Sequence, residues 1–133
     1  DIILVHDGVR PFLSKDMIQE TINIAAEFGA AITAIPVNDT IKQVDNSGKV
    51  ERTVDRESLW RVQTPQAFRY DLLGEAFRKA QKHSFYGTDE GALIENLGQE
   101  VRVVDGSEWN LKITRPEDLV LGESIVAKLF PEA

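Results

Sequence analysis

Residues 2–6 and 31–37 are continuous apolar runs on either side of a segment with helical periodicity, and few folds accept that order. Both runs contain β-branched residues and lack polar alternation, which predicts strands covered on both faces. Ser14 is placed to cap the helix between them. That helix carries Met17, Ile18, Thr21, Ile22, Ala25 and Ala26 on one face and meets Gly29 where a helix would stop. Strand, helix and strand with tight links make a βαβ unit, which predicts a parallel pair joined by a right-handed crossover.

Beyond this unit the pattern changes. Residues 40–54 alternate, with Ile41, Val44, Val50 and Val54 separated by polar residues and by the turn-rich Asp45-Asn46-Ser47-Gly48. This predicts a β-hairpin with too little apolar surface to bury two faces, hence an arm protruding from the body. A strand is expected near Trp60, ending in a loop at Thr64-Pro65-Gln66, because proline biases its neighbour toward extended structure. Helices are expected over 70–82 and 89–97, the second capped by Thr88 or Asp89 and ended by Gly98. Short strands are expected over 101–104 and 110–113. Thr114-Arg115-Pro116-Glu117 reads as a capping box opening a terminal helix. The order describes one α/β unit over residues 1–133 with a largely parallel sheet.

Composition narrows the function. The 22 acidic residues against 15 basic ones leave a net charge of −7, which disfavours a polyanionic partner, and no basic run with interleaved aromatics occurs. Nucleic acid is therefore not an expected partner. No apolar run approaches the roughly 20 residues needed to span a bilayer, so no membrane association is expected either. The absence of cysteine excludes disulfides, thiolate catalysis and cysteine-ligated zinc, and suits a cytoplasmic setting. With two histidines, a nucleophile–base triad has little material.

In an open α/β sheet, ligands gather at the carboxyl ends of the strands. That rule selects Asp7 and Arg10 after the first strand, Asp39 and Thr40 after the second, Thr64 and Gln66 after the strand near Trp60, and Lys112 near the last. Asp7 is either a carboxylate for ligand hydroxyls or magnesium, or a turn-forming residue before Gly8. Arg10 and Arg56 can grip phosphate with a planar fork, Lys112 as a point charge, and each can equally be a solvated cation. Asp55 stands where it could orient Arg56. His6 reads as a packed or hydrogen-bonded histidine rather than a base, and His83 as a capping or surface residue. Thr88 reads first as part of a helix start, and Trp60 and Trp109 as core or interface residues. A doubly wound nucleotide-binding fold usually opens with a glycine-rich turn before a helix. Gly8 stands alone here, so either the protein binds no nucleotide or an N-terminal portion that would hold one lies outside this sequence.

Several blocks occur together in order: Val5-His6-Asp7-Gly8-Val9-Arg10-Pro11, Pro36-Val37-Asn38-Asp39-Thr40-Ile41-Lys42, Thr53-Val54-Asp55-Arg56 with Leu59-Trp60, Thr64-Pro65-Gln66-Ala67-Phe68, Thr88-Asp89-Glu90, and the run from Asn110 to Leu119. Over essentially the whole chain these resemble the 2-C-methyl-D-erythritol 4-phosphate cytidylyltransferase family. The resemblance implies a Rossmann-like nucleotidyltransferase sheet, incomplete at its N-terminus, with a protruding β-hairpin arm over about residues 40–56. It also implies transfer of CMP from CTP to the phosphate of methylerythritol phosphate with release of pyrophosphate, and magnesium on the triphosphate as cofactor. By position, Arg56 and Lys112 look like the family's catalytic residues that position the acceptor. Asp7, Arg10, Thr40, Thr64 and Thr88 look like its substrate contacts, with Asp7 also a candidate metal carboxylate. A homodimer joined through the arm is implied, with Arg56 serving the partner's site. Ribitol 5-phosphate cytidylyltransferases share the fold and the reaction, and a non-catalytic dimerising sugar-phosphate-binding fragment is a second alternative.

Overall fold

The computed structural model describes residues 1–132. Ten elements follow one another: β1 (Ile2–Val5), α1 (Lys15–Phe28), β2 (Ala30–Pro36), β3 (Ile41–Val44), β4 (Val50–Val54), β5 (Trp60–Arg69), α2 (Tyr70–Lys82), α3 (Glu90–Leu97), β6 (Arg102–Asp105) and α4 (Pro116–Leu129). Four strands form the main sheet in the order β1-β5-β2-β6. Among the described residues no helix is long and apolar enough to cross a membrane.

The expected pairing of the first two strands is corrected. β1 and β2 run the same way, but β5 lies between them and is antiparallel to both, so the only parallel pair among the described residues is β2 with β6. The sheet is mixed rather than largely parallel. A crossover helix leaves room between its two strands, and β5 fills it with its residues from Gln63 to Phe68 buried.

The loop expected at Thr64-Pro65-Gln66 is likewise corrected, because β5 runs straight through it, with a cis bond between Thr64 and Pro65. Proline has no N–H to give a ladder and is normally confined to edges and bulges. Pro65 meets that requirement inside the sheet. β1 stops pairing at Gln66, and the β2 register shifts between Ile32 and Ala34. In the gap, the buried Thr33 hydroxyl donates to the Pro65 carbonyl at 2.9 Å.

Alternation along β2 and β5 divides the core between the two faces of the sheet. Ala30 and Phe68 pack with Leu73, Ala76 and Ala80 of α2 and Leu93 and Ile94 of α3. Ala31 and Ala67 pack with Ala25 of α1 and with Val104. Small residues on the α1 side let that helix sit close to the sheet. Phe68, fully buried, anchors the other side, where truncation to alanine costs about 3–5 kcal/mol.

Helix ends follow local chemistry. The Ser14 side chain accepts from the Met17 N–H, and Gly29 closes α1 at φ 100°, where a Cβ would stand 3.1 Å from Leu72. Asp89 caps α3 and Gly98 ends it in the left-handed region. The cap of α4 falls one residue later than expected, at Arg115. Thr114 as the cap would force Arg115, the residue before a proline, into helical geometry. Instead the Asp118 carboxylate accepts from the N–H groups of Thr114 and Arg115. Residues 110–113 form no strand, although the Ile113 N–H donates to the Val9 carbonyl.

The hairpin is present as β3 and β4, a two-stranded sheet separate from the main one, with nearly every residue exposed. Its turn is organised by Asp45, whose Oδ1 accepts from the Ser47 N–H, the Ser47 hydroxyl and the Lys49 N–H. The bonds from Ser47 and Lys49 hold the Asp45 carboxyl below its usual range.

Candidate functional site

At the carboxyl end of β1 the chain turns sharply, with the Arg10 N–H donating to the Asp7 carbonyl at 3.0 Å. The turn brings the Arg10 guanidinium back over the Asp7 carboxylate, Nε to Oδ2 3.2 Å, and Lys112 approaches the same oxygen at 3.4 Å. Burial alone would raise the Asp7 carboxyl, but the Arg10 hydrogen bond and the Lys112 charge outweigh it and hold Asp7 below its usual range. Two cations thus converge on one carboxylate at a strand end.

Arg10 is the better buried of the two. Its Nη1 donates to the Asn110 carbonyl at 2.7 Å, which ties the first turn to a loop a hundred residues away. Asn110 is fully buried, and its Nδ2 donates to the Thr64 carbonyl at 2.8 Å and to Gln63 Oε1 at 3.1 Å. Gln63 in turn donates from Nε2 to the Ser107 carbonyl. No strand forms at 110–113: the Asn110 and Leu111 N–H groups close local turns onto the Ser107 and Trp109 carbonyls, and the Asn110 carbonyl accepts from Arg10.

Thr64 stands on β5 beside this turn. Its hydroxyl oxygen accepts from the Asp7 N–H at 2.9 Å and lies 2.9 Å from His6 Nδ1, while His6 Nε2 lies 2.8 Å from the Arg10 carbonyl. His6 is therefore hydrogen-bonded at both nitrogens. On the far side, Gln66 is almost completely buried and joins β5 to α3. Its Nε2 donates to Asp89 at 2.9 Å and its Oε1 accepts from the Gly91 N–H. A Cβ on Gly91 would stand 3.1 Å from Ile32, so this glycine lets the start of α3 lie close against β2.

Between these walls lies an open cavity of about 780 Å³, lined by Asp7, Arg10, Thr64, Thr88 and Lys112 among others. Six of the residues singled out in the sequence, these five and Gln66, are thereby brought together. Arg56 and Thr40 do not line it. They stand exposed at the base of the arm, where Arg56 donates to the Asn38 carbonyl. Asp55 and Arg56 form no ion pair among the described residues, and Asp55 Oδ1 instead accepts from the Glu57 N–H. Trp60 and Trp109 are exposed rather than core.

Sequence reasoning missed the buried supports Gln63 and Asn110, and it read Asp89 only as a cap although that residue also lines the cavity. Residues 110–113 read Asn-Leu-Lys-Ile, an ordinary alternation of polar and apolar residues, so nothing local marks Asn110. Among the described residues no group of three or more His, Cys, Asp or Glu side chains is placed to hold a metal, and the Asp7 carboxylate already faces two cations. The donors present do not fit a magnesium site built by this chain alone, since magnesium wants nearly octahedral oxygen ligation.

The comparisons with known proteins agree on one relationship. The sequence profile described as 2-C-methyl-D-erythritol 4-phosphate cytidylyltransferase matches residues 1–128. A protein of that name from Lysinibacillus sphaericus (strain C3-41) is 51% identical over 128 residues, covering 96% of this chain and 55% of that protein. One from Geobacillus thermodenitrificans (strain NG80-2) is 48% identical over 132 residues, covering 99% and 58%. The crystal structure of the Thermus thermophilus enzyme of the same name superposes with a TM-score of 0.86 at 38% identity, over 93% of this chain and 61% of that one. The chain spans a little over half the length of the curated relatives it matches. With fold, order of blocks and profile in agreement, the chain belongs to the 2-C-methyl-D-erythritol 4-phosphate cytidylyltransferase family.

Proposed function

We propose that the full-length protein transfers CMP from CTP to 2-C-methyl-D-erythritol 4-phosphate, releasing pyrophosphate, and that this chain forms the acceptor-binding side of the site. The observation that carries the reading is the convergence of Arg10 and Lys112 on Asp7 at the end of β1, beside the Thr64 and Thr88 hydroxyls. The acceptor phosphate is already a nucleophile at neutral pH. What the protein must supply is alignment of two polyanions and neutralisation of charge, which needs cations and donors rather than a base.

In this reading Lys112, half-exposed toward the cavity, meets the acceptor phosphate near the reacting centre. Arg10 holds Asp7 in place, and Asp7 accepts from hydroxyls of the polyol. Magnesium enters on the triphosphate as part of the substrate, and no step is assigned to a metal held by Asp7. Thr40 and Arg56 act across a homodimer, carried by the arm into the partner's cavity. Their placement outside the cavity of their own chain supports this, as do the exposed Val44 and Val50 on the arm.

Pyrophosphate release by the full-length protein from CTP and methylerythritol phosphate tests the reading. Faster turnover of ribitol 5-phosphate under matched conditions would reassign the acceptor. No turnover of CTP with either polyol phosphate would leave the chain a non-catalytic binding fragment.

A further inference from the structure

His6 sits between two groups of the cavity wall, and its partners determine where its protons lie. A carbonyl oxygen only accepts, so the 2.8 Å contact of His6 Nε2 with the Arg10 carbonyl requires a proton on Nε2. In a neutral imidazole Nδ1 is then a lone pair, and the Thr64 hydroxyl, 2.9 Å away, must donate to it. The same hydroxyl oxygen already accepts from the Asp7 N–H at 2.9 Å. A hydroxyl has one proton and two lone pairs, so one acceptor position on Thr64 is left for the cavity it lines.

We infer that His6, with its imidazole in the neutral form, is a positioning residue that makes Thr64 an acceptor only, so that Thr64 then selects a hydroxyl of the acceptor substrate and turns away a phosphate oxygen. Anionic oxygens cannot donate, and placing one against a lone pair leaves both unpaired. Phosphate is thereby directed to Lys112, and the polyol to Thr64. His6 thus sets the direction in which a phosphorylated polyol lies in the cavity. It touches no substrate itself. The inference rests on the acceptor being a polyol phosphate, as proposed above.

Two measurements on the full-length protein test it. The first is the ¹⁵N spectrum of the His6 imidazole at pH 8 without substrate, expected to show a protonated Nε2 and an unprotonated Nδ1. A proton on Nδ1 overturns the inference. The second compares His6→Leu, which keeps bulk without a partner for Thr64, with His6→Asn, whose side-chain oxygen can take the place of Nδ1. His6→Leu should raise KM for methylerythritol phosphate about tenfold, with kcat and KM for CTP changed no more than about twofold, and His6→Asn should recover most of the loss.

A folded His6→Leu protein with unchanged acceptor KM, or one in which both substrates weaken equally, overturns the inference. So does a monodeoxy acceptor panel in which no hydroxyl loses its value when Thr64 is replaced by Val. Because the spectrum needs no substrate, a protein that fails to turn over CTP sinks the proposed function without deciding the proton positions.

Discussion

Arg10 and Lys112 carry the same charge and approach the same Asp7 oxygen, yet the structure predicts that their loss is felt differently. The Arg10 side chain is 11% exposed and also donates to the Asn110 carbonyl, whereas that of Lys112 is 48% exposed, with Asp7 as its only ion-pair partner among the described residues. Replacing Arg10 with Ala strips a charge-assisted donor from two partly buried acceptors, which costs about 2–3 kcal/mol of folding stability. Replacing Lys112 with Ala removes a screened pair whose contribution is less than about 1 kcal/mol. For turnover the expectation differs. If Lys112 meets the acceptor phosphate near the reacting centre, its loss lowers kcat/KM about a hundredfold, equivalent to about 2.7 kcal/mol of transition-state stabilisation. Arg10→Ala should lower both quantities, and Arg10→Lys should recover little, because a point charge cannot reach Asp7 and the Asn110 carbonyl together. Urea denaturation and coupled pyrophosphate release on the same full-length preparations separate the two effects. A folded Lys112→Ala protein turning over at close to the wild-type rate would return Lys112 to the status of a solvated cation. An unmoved denaturation midpoint for Arg10→Ala would show that the bridge from the first turn to the 110 loop holds nothing together.

Arg56→Ala should abolish most activity at little cost in stability, and mixing inactive Arg56→Ala and Lys112→Ala subunits should restore it if the arm serves the partner's site; activity no higher than either parent would place both residues in one subunit's site. If the protein is the proposed homodimer, replacing residues 41–54 with a short turn should leave the main sheet folded and shift it to monomer in sedimentation, and an unchanged dimer would rule the arm out as the joint. Asn110→Ala leaves the Thr64 carbonyl and Gln63 without their buried donor, so it should destabilise by roughly 2–4 kcal/mol in denaturant titrations. Asp7 is held below its usual range, so its contribution to folding is present at neutral pH and is lost as pH falls through its folded value; Asp7→Asn should flatten the acid limb of the stability profile relative to wild type.

Much of this architecture is written locally and could be read locally. The Ser14 cap, the stop at Gly29, the α3 start at Asp89 and its end at Gly98 each depend on a few neighbouring residues, and all are found where expected. The polar alternation of 40–54 likewise announced a hairpin with no core of its own. Asp7 and Arg10 could be singled out because ligand sites in open sheets gather at strand ends, whereas the strand ends that select Thr64 and Lys112 are ones the structure does not have, Thr64 lying inside β5 and Lys112 in a loop.

What only the tertiary structure decided is how these pieces meet. No local signal says that β5 slips between β1 and β2 in the opposite direction, since strand order is set by which long-range packing buries the most apolar surface. Pro65 reads as a strand breaker until a register shift in β2 and the end of β1 remove the ladder bonds it could not have made. Asn110 could not be recognised as a support because its partners, Arg10, Gln63 and Thr64, are all distant in sequence. The same holds for His6. Its residue type permits several roles, and the positions of its protons follow only from a carbonyl four residues ahead and a hydroxyl on another strand. Local hydrogen bonds and periodicity are encoded within a few residues, whereas the polarity of a cavity wall is set by groups that only folding brings within about 3 Å of one another.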